Sequence, residues 1–575
     1  MYEQQRTTLY HNAELLDVVR QRTFRGWFTV RQGRFWLVEE AGSPAPPCDE
    51  SVDLAGRTVM PGLVDIHTHI ESSFVTPRRY AEAVLPQGTT TVLTDPHEIA
   101  NVLGGQGIQF MLDSSEHIPL DVYLSLPSCV PATSLDLETS AEILTAGDLE
   151  PFVGHPRVIA LGEVMNYRGV LQGDARLVDI VAMARRRGLL IEGHVPTLSG
   201  QDLSRYLSHG VRTDHTLAYP EKILEQLSKG VCVEIQEKSI TRQNIDVLRS
   251  VPDLSRVVFV TDDVVASRIL RGHLLHNVKK AIEMGMDTYE ALSCATCRPA
   301  AVLGLCDVGI IAPGFIADFL VLDNLADLNV NSVYKAGRLV ARDGVCVCNE
   351  CGSGGDQDLP GWVLETVKLP LLSRDDFRVP LPDGVHRVHV IEANSVNTVT
   401  SLGTGTVTVR DGFAELPGDA DVVLAEVLER HGRRRGQEGK GLAFVRGYGL
   451  RSGACATTVA HDAHNLLVLG RDADAMATAA NAVIESGGGI AVAEGTRVLR
   501  HVPLPVAGLM SDRPVKEVAR EFESLEADLV RLGVSHRQPL LFLVMLTLAT
   551  SPGFKVTDRG LVDVERQALL LLLAG

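Results

Sequence analysis

Two histidines one residue apart come after an apolar run early in the sequence. His67 and His69 stand directly after Met60–Ile66, and side chains at positions i and i+2 of a strand project from the same face. Neutral imidazole is the commonest side-chain metal ligand, so the pair is suited to hold one divalent ion from one side. A single His-x-His pair is weak evidence for a site. Its interpretation therefore depends on the chemical groups elsewhere in the chain that could join it.

The segment from residue 61 to 305 alternates strand-like apolar runs with helical stretches, which is typical of a parallel sheet wrapped by helices. The eight strand candidates are Leu63–Ile66, Thr90–Thr94, Val122–Leu126, Val158–Gly162, Leu189–Glu192, Val211–Thr213, Val231–Ile235 and Val257–Val260. This number of strands in a segment of this length predicts a (β/α)8 barrel. The pattern alone also fits an open doubly wound sheet.

A barrel predicts that chemical groups cluster just after its strands, at the carboxyl-terminal rim. The residues at these ends are His67 and His69, Asp95, His97 and Glu98, Glu163, His194, His215, and Asp262 and Asp263. Each of them alone is more often a solvated or packed side chain. A random scatter of the 18 histidines would not put so many of them at these ends, so the set predicts a site.

Four histidines and two carboxylates on one rim suit two neighbouring divalent ions with a bridging solvent. Such a pair acidifies bound water and polarises the group under attack, which is hydrolytic chemistry. The nitrogen and oxygen donors, with no cysteine at the rim, favour Mn²⁺, Fe²⁺ or Zn²⁺ over copper or magnesium.

The sequence before and after the segment 61–305 predicts two further domains. Residues 1–60 and 306–350 alternate short apolar runs with turn residues, and we expect them to pair into one small β-sandwich built from both sides of the barrel segment 61–305. In the region 365–575, the apolar run Leu466–Leu469 precedes a predicted helix over 472–485, which indicates an α+β domain. The closing run Leu569–Leu573 is expected to pack in a core or in a dimer contact.

Composition and charge exclude several classes of function. The formal net charge of −18 disfavours binding to nucleic acid or to an anionic membrane. No segment reaches the roughly 18 uninterrupted apolar residues of a membrane span, and Met1–Arg6 lacks the apolar core of a signal peptide. Ten scattered cysteines do not form a disulfide framework, so we expect thiols in the cytoplasm.

Three of these cysteines are close together in the sequence. Cys346, Cys348 and Cys351 precede the Gly-rich segment Gly352–Asp356. Their spacing is compatible with a structural zinc site, but no convincing fourth ligand is nearby, and plain linker thiols remain the alternative.

Several long motifs resemble the adenine deaminase family of the amidohydrolase superfamily. The superfamily features are Pro61-Gly62-x-x-Asp65-x-His67-x-His69 and Ala312-Pro313-Gly314-x-x-Ala317-Asp318. The closer similarity lies in His69–Ser73, Asp95–Asn101, Gly162–Tyr167, Thr261–Asp263, Val459–Asn465 and Gly508–Asp512. It covers nearly the whole chain. The resemblance implies deamination of adenine to hypoxanthine and ammonia, as in purine salvage, with a small nucleobase as substrate.

The resemblance also implies roles for individual residues. His67, His69 and Asp262 hold one metal ion, His194 and His215 complete the second site, and Glu163 bridges both ions. Asp262 acts as general base, and Asp263 is a candidate for contact with the purine. Glu98 and Glu71 are proton or hydrogen-bond partners, or they orient metal ligands, and His97 joins these candidates.

His461 and His464 lie in the third domain, where His461-Asp462-x-His464-Asn465 has three possible roles. The motif reaches the rim as a lid or substrate contact, binds a further metal, or ties a local turn. Apolar stretches in this domain also make a homodimer or larger assembly plausible.

The sequence departs from the family at two places near the predicted rim. Thr216 follows His215 where the family continues with glutamate, and Gln236-Glu237-Lys238-Ser239 replaces Arg-Glu-Gly-Ser. Arginine is a rigid donor fork that glutamine does not reproduce. The alternatives are therefore the same metal chemistry on another aminopurine, an aminopyrimidine or a cyclic amide, or a non-catalytic binding paralogue.

Overall fold

Eight parallel strands form the centre of the molecule. The computed structural model describes residues 6–351, 359–416, 421–433 and 439–574. The barrel strands, numbered 1 to 8 in chain order, are Leu63–Thr68, Thr89–Thr94, Asp121–Leu126, Val158–Val164, Leu190–Gly193, Thr213–Asp214, Cys232–Ile235 and Val257–Phe259. Their bounds lie within two residues of the predicted ones.

Backbone hydrogen bonds close these strands into a ring. Strands 1 to 5 pair in order, and so do strands 6 to 8. The Arg212 N–H donates to the carbonyl of Ile191 (2.9 Å), which joins strands 5 and 6. The Asp262 N–H donates to the carbonyl of His67 (3.0 Å), which joins the end of strand 8 to strand 1. The predicted barrel is confirmed.

Helices surround the barrel because their apolar residues recur at helical spacing. The helix Ala175–Arg187 buries Leu177, Ile180, Val181 and Ala184 against the core, and the Asp174 side chain accepts from the Leu177 N–H at its start. The helices of this segment are Pro77–Val84, His97–Leu103, Gly105–Ser114, Ala146–Leu149, Tyr167–Gln172, Ala175–Arg187, Gly200–Ser208, Pro220–Ser228, Arg242–Ser250, Ala266–Ile269, Leu274–Glu283, Thr288–Ser293 and Cys297–Val302.

The segments on either side of the barrel form one nine-stranded sheet, called here the folded sheet. Its strands are Thr7–Asp17, Arg22–Arg31, Arg34–Glu40, Glu50–Asp53, Thr58–Pro61, Phe319–Leu322, Val330–Lys335, Arg338–Arg342 and Val345–Cys346. Thr58–Pro61 pairs antiparallel with Phe319–Leu322, which unites the two sides. The Phe35 N–H donates to the carbonyl of Phe315 (2.9 Å), so the sheet folds over a core of stacked aromatic rings.

The C-terminal domain is built on a second nine-stranded sheet. Its strands are Gly384–Ala393, Thr400–Arg410, Phe413–Glu415, Val422–Leu428, Lys440–Arg446, Ala454–Thr457, Leu466–Gly470, Gly489–Glu494 and Arg497–Pro503. The helix Ala473–Glu485 packs on it, as predicted, and the remaining elements are the helices Gly361–Leu364, Val515–Arg531 and Pro539–Met545 and the strands Phe554–Thr557, Gly560–Asp563 and Ala568–Leu570. The predicted Gly352–Asp356 segment lies outside the described residues.

The C-terminal domain docks on the rim side of the barrel. The rings of Phe74 and Phe522 stack with centroids 4.3 Å apart. Thr76 lies in the segment that follows barrel strand 1 and a short turn, and its hydroxyl donates to Asp512 (2.6 Å). Within the described ranges, no helix is both long and apolar enough to cross a bilayer.

Candidate metal centre

The end of barrel strand 1 brings two imidazoles beside the carboxylate that comes after strand 8. Asp262 Oδ1 lies 3.6 Å from His69 Nε2 and 4.0 Å from His67 Nε2. Both histidines are buried. The closure of the barrel sets these distances, because Asp262 is hydrogen-bonded through its backbone to His67.

Glu163 lies at the centre of the donor set, at the end of barrel strand 4. Its Oε1 is 3.4 Å from His69 Nε2. Its Oε2 is 2.5 Å from His194 Nδ1 and 3.3 Å from His215 Nε2. One oxygen thus faces His69 after strand 1, while the other faces the histidines after strands 5 and 6. This is the arrangement that a carboxylate bridging two ions needs.

The electrostatics of the site keep two of its donors, Glu163 and His67, in forms that bind metal, whereas nearby carboxylates outweigh burial and raise the pKa of His69 to about 9 and that of His215 to about 10. Burial alone would raise the pKa of Glu163, but the imidazoles of His215 and His194 outweigh it and hold that pKa well below its usual range. Burial lowers the pKa of His67 to about 3, with further lowering by His215, so this imidazole is neutral. An ionised carboxylate and a neutral imidazole are the forms that coordinate a divalent ion.

Unpaired buried atoms show that the residues fit a metal. Both ring nitrogens of His67 and the Nδ1 of His215 are buried without a hydrogen-bond partner in the described part of the chain. Buried polar atoms are normally paired, and the unpaired Nε2 of His67, which faces Asp262, is open to a ligand other than a protein atom. The mixed imidazole and carboxylate donors suit divalent Mn, Fe or Zn.

Two glutamates of the barrel interior were missed by the sequence reasoning. Glu192 and Glu234 are buried on strands 5 and 7, and none of their carboxyl oxygens is hydrogen-bonded to a described residue. Glu192 Oε2 lies 3.6 Å from His67 Nδ1, behind the ring. Burial raises the pKa of both carboxyls well above the usual value. A charged residue inside a short apolar strand could have indicated both glutamates from the sequence. Glu192 also lies two positions before His194.

Asp95 holds the strand that carries Glu163. Its Oδ2 accepts the Glu163 N–H (3.1 Å) and lies 3.6 Å from His97 Nδ1. The carboxylate packs directly over Gly162, where an added Cβ would be 2.0 Å from Asp95 Oδ2. Only glycine allows this close approach.

A second polar group borders the donor set. The Ser72 hydroxyl lies 2.6 Å from Glu98 Oε1 and 2.6 Å from Asp263 Oδ1. Glu98 is buried, whereas Asp263 is exposed. Glu71 is also buried, and its Oε1 accepts the Ile99 N–H at 3.3 Å.

The C-terminal domain reaches this second group. His461 Nδ1 and His464 Nε2 each lie 3.8 Å from an oxygen of Glu98. Asp462 Oδ1 lies 3.8 Å from His97 Nε2. The motif therefore contacts the rim of the barrel as well as forming its own turn.

Two protein-family models together match most of the chain. Residues 58–340 match the model of the amidohydrolase family, and residues 397–568 match that of the adenine deaminase C-terminal domain. The chain is 42% identical over 579 residues to the adenine deaminase of Nitratidesulfovibrio vulgaris strain Hildenborough, covering 96% of this chain and 94% of that protein. It is 37% identical to the adenine deaminase of Desulfatibacillum aliphaticivorans (96% and 95% covered) and 32% identical to that of Clostridium perfringens (96% and 97%).

The chain belongs to the adenine deaminase family. Family membership implies the use of divalent metal, and the histidine and carboxylate groups at the barrel rim are candidates to bind it.

Two residues at the departures from the family motif, Thr216 and Gln236, are part of the scaffold of the site. Thr216 Oγ1 donates to Asp214 (2.9 Å) and receives a hydrogen bond from the buried Lys222 (2.6 Å). The Gln236 side chain donates to the carbonyl of His215 (2.8 Å). Both side chains are thus engaged in holding the loop that carries His215.

Replacing Gly162 by alanine tests the packing beneath Glu163. Because the new methyl group overlaps the Asp95 carboxylate, we expect Gly162→Ala to lower the free energy of unfolding by about 1–3 kcal/mol, measured by urea denaturation. Gly147→Ala is the matched control, since a Cβ there meets nothing closer than 3.7 Å. Equal stability of the two variants would contradict the close approach.

Proposed function

We propose that the chain hydrolyses adenine to hypoxanthine and ammonia. The observation that carries this proposal is the Glu163 carboxylate, which turns one oxygen to His69 and the other to His194 and His215. The near full-length similarity to adenine deaminases selects adenine among the substrates open to such a centre.

In the proposal, His67, His69 and Asp262 hold one divalent ion, His194 and His215 hold the other, and Glu163 joins both. When bound, such ions acidify water and polarise the group that is attacked. Mn²⁺ or Fe²⁺ is the proposed pair, with Zn²⁺ as the third candidate, because these ions accept mixed imidazole and carboxylate donors.

Asp262 is the proposed general base. Burial tends to raise the pKa of its carboxyl, but His215 and the other nearby cationic groups lower that pKa to about 2, so the group is ionised and able to accept a proton. Addition of water to C6 of the purine gives a tetrahedral centre. Asp262 takes one proton of the water and passes it to the leaving nitrogen, which departs as ammonia, while the second proton of the water ends on ring N1 and the oxygen remains on C6 as the carbonyl of hypoxanthine.

Asp263, Glu98 and Ser72 are the proposed contacts to the purine. The single proton of the Ser72 hydroxyl can be donated to only one of the two carboxyls at a time. The other carboxyl is left free to exchange a hydrogen bond with a ring nitrogen or N–H. Glu71, His97, His461 and His464 are proposed to support this group from behind or to line the pocket.

The remaining proposals concern organisation. We propose the domain limits 1–60 with 306–350 for the folded sheet, 61–305 for the barrel and 365–575 for the C-terminal domain. A homodimer or larger assembly is supported by the closing apolar run, in which Leu571 is 81% exposed and thus lies outside any core of the single chain. None of the ten cysteines is in a disulfide, which supports the cytoplasm as the compartment.

The function is tested by ammonia release from adenine, with a panel of other aminopurines, aminopyrimidines and cyclic amides. Protein loaded with manganese or iron should turn over adenine with a kcat on the order of 1 to 1000 per second. If ammonia is released from another member of the panel but not from adenine, adenine is not the substrate. If no member of the panel releases ammonia, the proposal that the chain is an enzyme would be overturned.

The bridging role of Glu163 is tested by its removal. Glu163→Ala should lose both metal equivalents and lower kcat/KM by at least about 100-fold, because both ions lose a shared ligand. Metal content is measured by elemental analysis of the purified variant. Glu426→Ala, which removes an equally buried glutamate from the C-terminal sheet, should keep both equivalents. Retention of two ions by Glu163→Ala would contradict the bridge.

A further inference from the structure

A cluster of three thiols lies outside the barrel centre, and we call it the cysteine cluster: Cys346, Cys348 and Cys351. The three Sγ atoms all lie within 4.8 Å of one another, and those of Cys346 and Cys348 are 3.2 Å apart. Nothing in the proposed deamination uses these residues. Their sulfurs are donors of a different chemical kind from the imidazoles and carboxylates of the rim.

A tight hairpin of the folded sheet brings the first two thiols together. The strand Arg338–Arg342 turns back through Asp343 and Gly344, both of which have positive φ (50° and 74°), and pairs Ala341 with Cys346. The Val347 N–H donates to the carbonyl of Val340 (2.9 Å), so the extended pairing continues beyond the strand. Cys346 and Cys348 therefore lie on the same face.

The third thiol returns to the same point from the interior. Cys351 is fully buried and Cys348 is nearly so, and both belong to the large apolar core that also contains Tyr80 and Val84 of the first barrel helix. Cys346 is half-buried at the edge of the cluster. One side of the cluster is thus held by packed core, and the other faces the surface.

The spacing of the three sulfurs fits a single metal ion. A thiolate, and not a thiol, is the form that binds a metal ion. Three sulfurs on a tetrahedral zinc are separated by about 3.8 Å, since Zn–S bonds are about 2.3 Å long, and this separation lies within the spacing of the cluster.

We propose that Cys346, Cys348 and Cys351 bind one zinc ion, with solvent in the fourth position. The ion would fasten the end of the last hairpin of the folded sheet to the segment at Cys351, where the chain leaves the sheet for the C-terminal domain. Its role is structural and is independent of the chemistry at the rim.

The test uses cobalt, because Co²⁺ bound to thiolate gives a sulfur-to-metal charge-transfer absorption that imidazole and carboxylate sites do not give. The full-length, reduced, metal-free protein is titrated with Co²⁺ and then with Zn²⁺. We expect the thiolate absorption to reach a plateau whose intensity corresponds to one thiolate-bound Co²⁺ per chain, whatever amount the rim binds, and to disappear as Zn²⁺ displaces Co²⁺. Cys346→Ser, Cys348→Ser and Cys351→Ser should each remove or strongly weaken this absorption.

Cys48→Ser and Cys306→Ser are matched controls, since they remove exposed free thiols elsewhere and should leave the absorption intact. If Cys351→Ser fails to fold, Cys346→Ser still tests the site, because Cys346 is only half-buried at the edge of the cluster. Absence of the absorption in the reduced wild-type protein, its survival in Cys346→Ser, or its persistence in excess Zn²⁺ would overturn the zinc site. The cobalt absorption is measured without adenine turnover, so failure of the zinc site can be distinguished from failure of the proposed deamination.

Discussion

The approach of His69 to one oxygen of Glu163, and of His194 and His215 to the other, is the interaction on which the site depends. A buried carboxylate is costly to ionise, and here the neighbouring imidazoles reverse that cost, because they hold the pKa of Glu163 well below its ordinary value. The remaining donors are arranged around this one group. His69 faces its first oxygen, and His194 and His215 face its second.

The barrel provides the positions that this arrangement needs. Glu163 ends strand 4, and its backbone is fixed by the Asp95 carboxylate that packs against Gly162. The ring closes at the same level, where the Asp262 N–H meets the carbonyl of His67. A site assembled from the ends of separate strands therefore depends on the backbone hydrogen bonds that close the barrel. The second polar group, Ser72, Glu98 and Asp263, is positioned by the same rim.

Much of this architecture was predictable from the sequence, because the barrel strands are short apolar runs and parallel strands end at a common rim. That rule was sufficient to group His67, Glu163 and Asp262 from residues far apart in the chain. It could not find Glu192 or Glu234, since a rule about strand ends says nothing about charged side chains inside a strand. It also could not fix the role of Gln236, whose hydrogen bond to the carbonyl of His215 depends on the folded loop. The reach of His461 to Glu98 depends on how two domains dock, which local sequence patterns do not encode.

Anomalous X-ray scattering from crystals of the manganese-loaded protein tests the central claim most directly. The account predicts two peaks on either side of the Glu163 carboxylate, one against His67, His69 and Asp262 and the other against His194 and His215. A single peak, or two peaks of which only one contacts Glu163, would contradict the bridge.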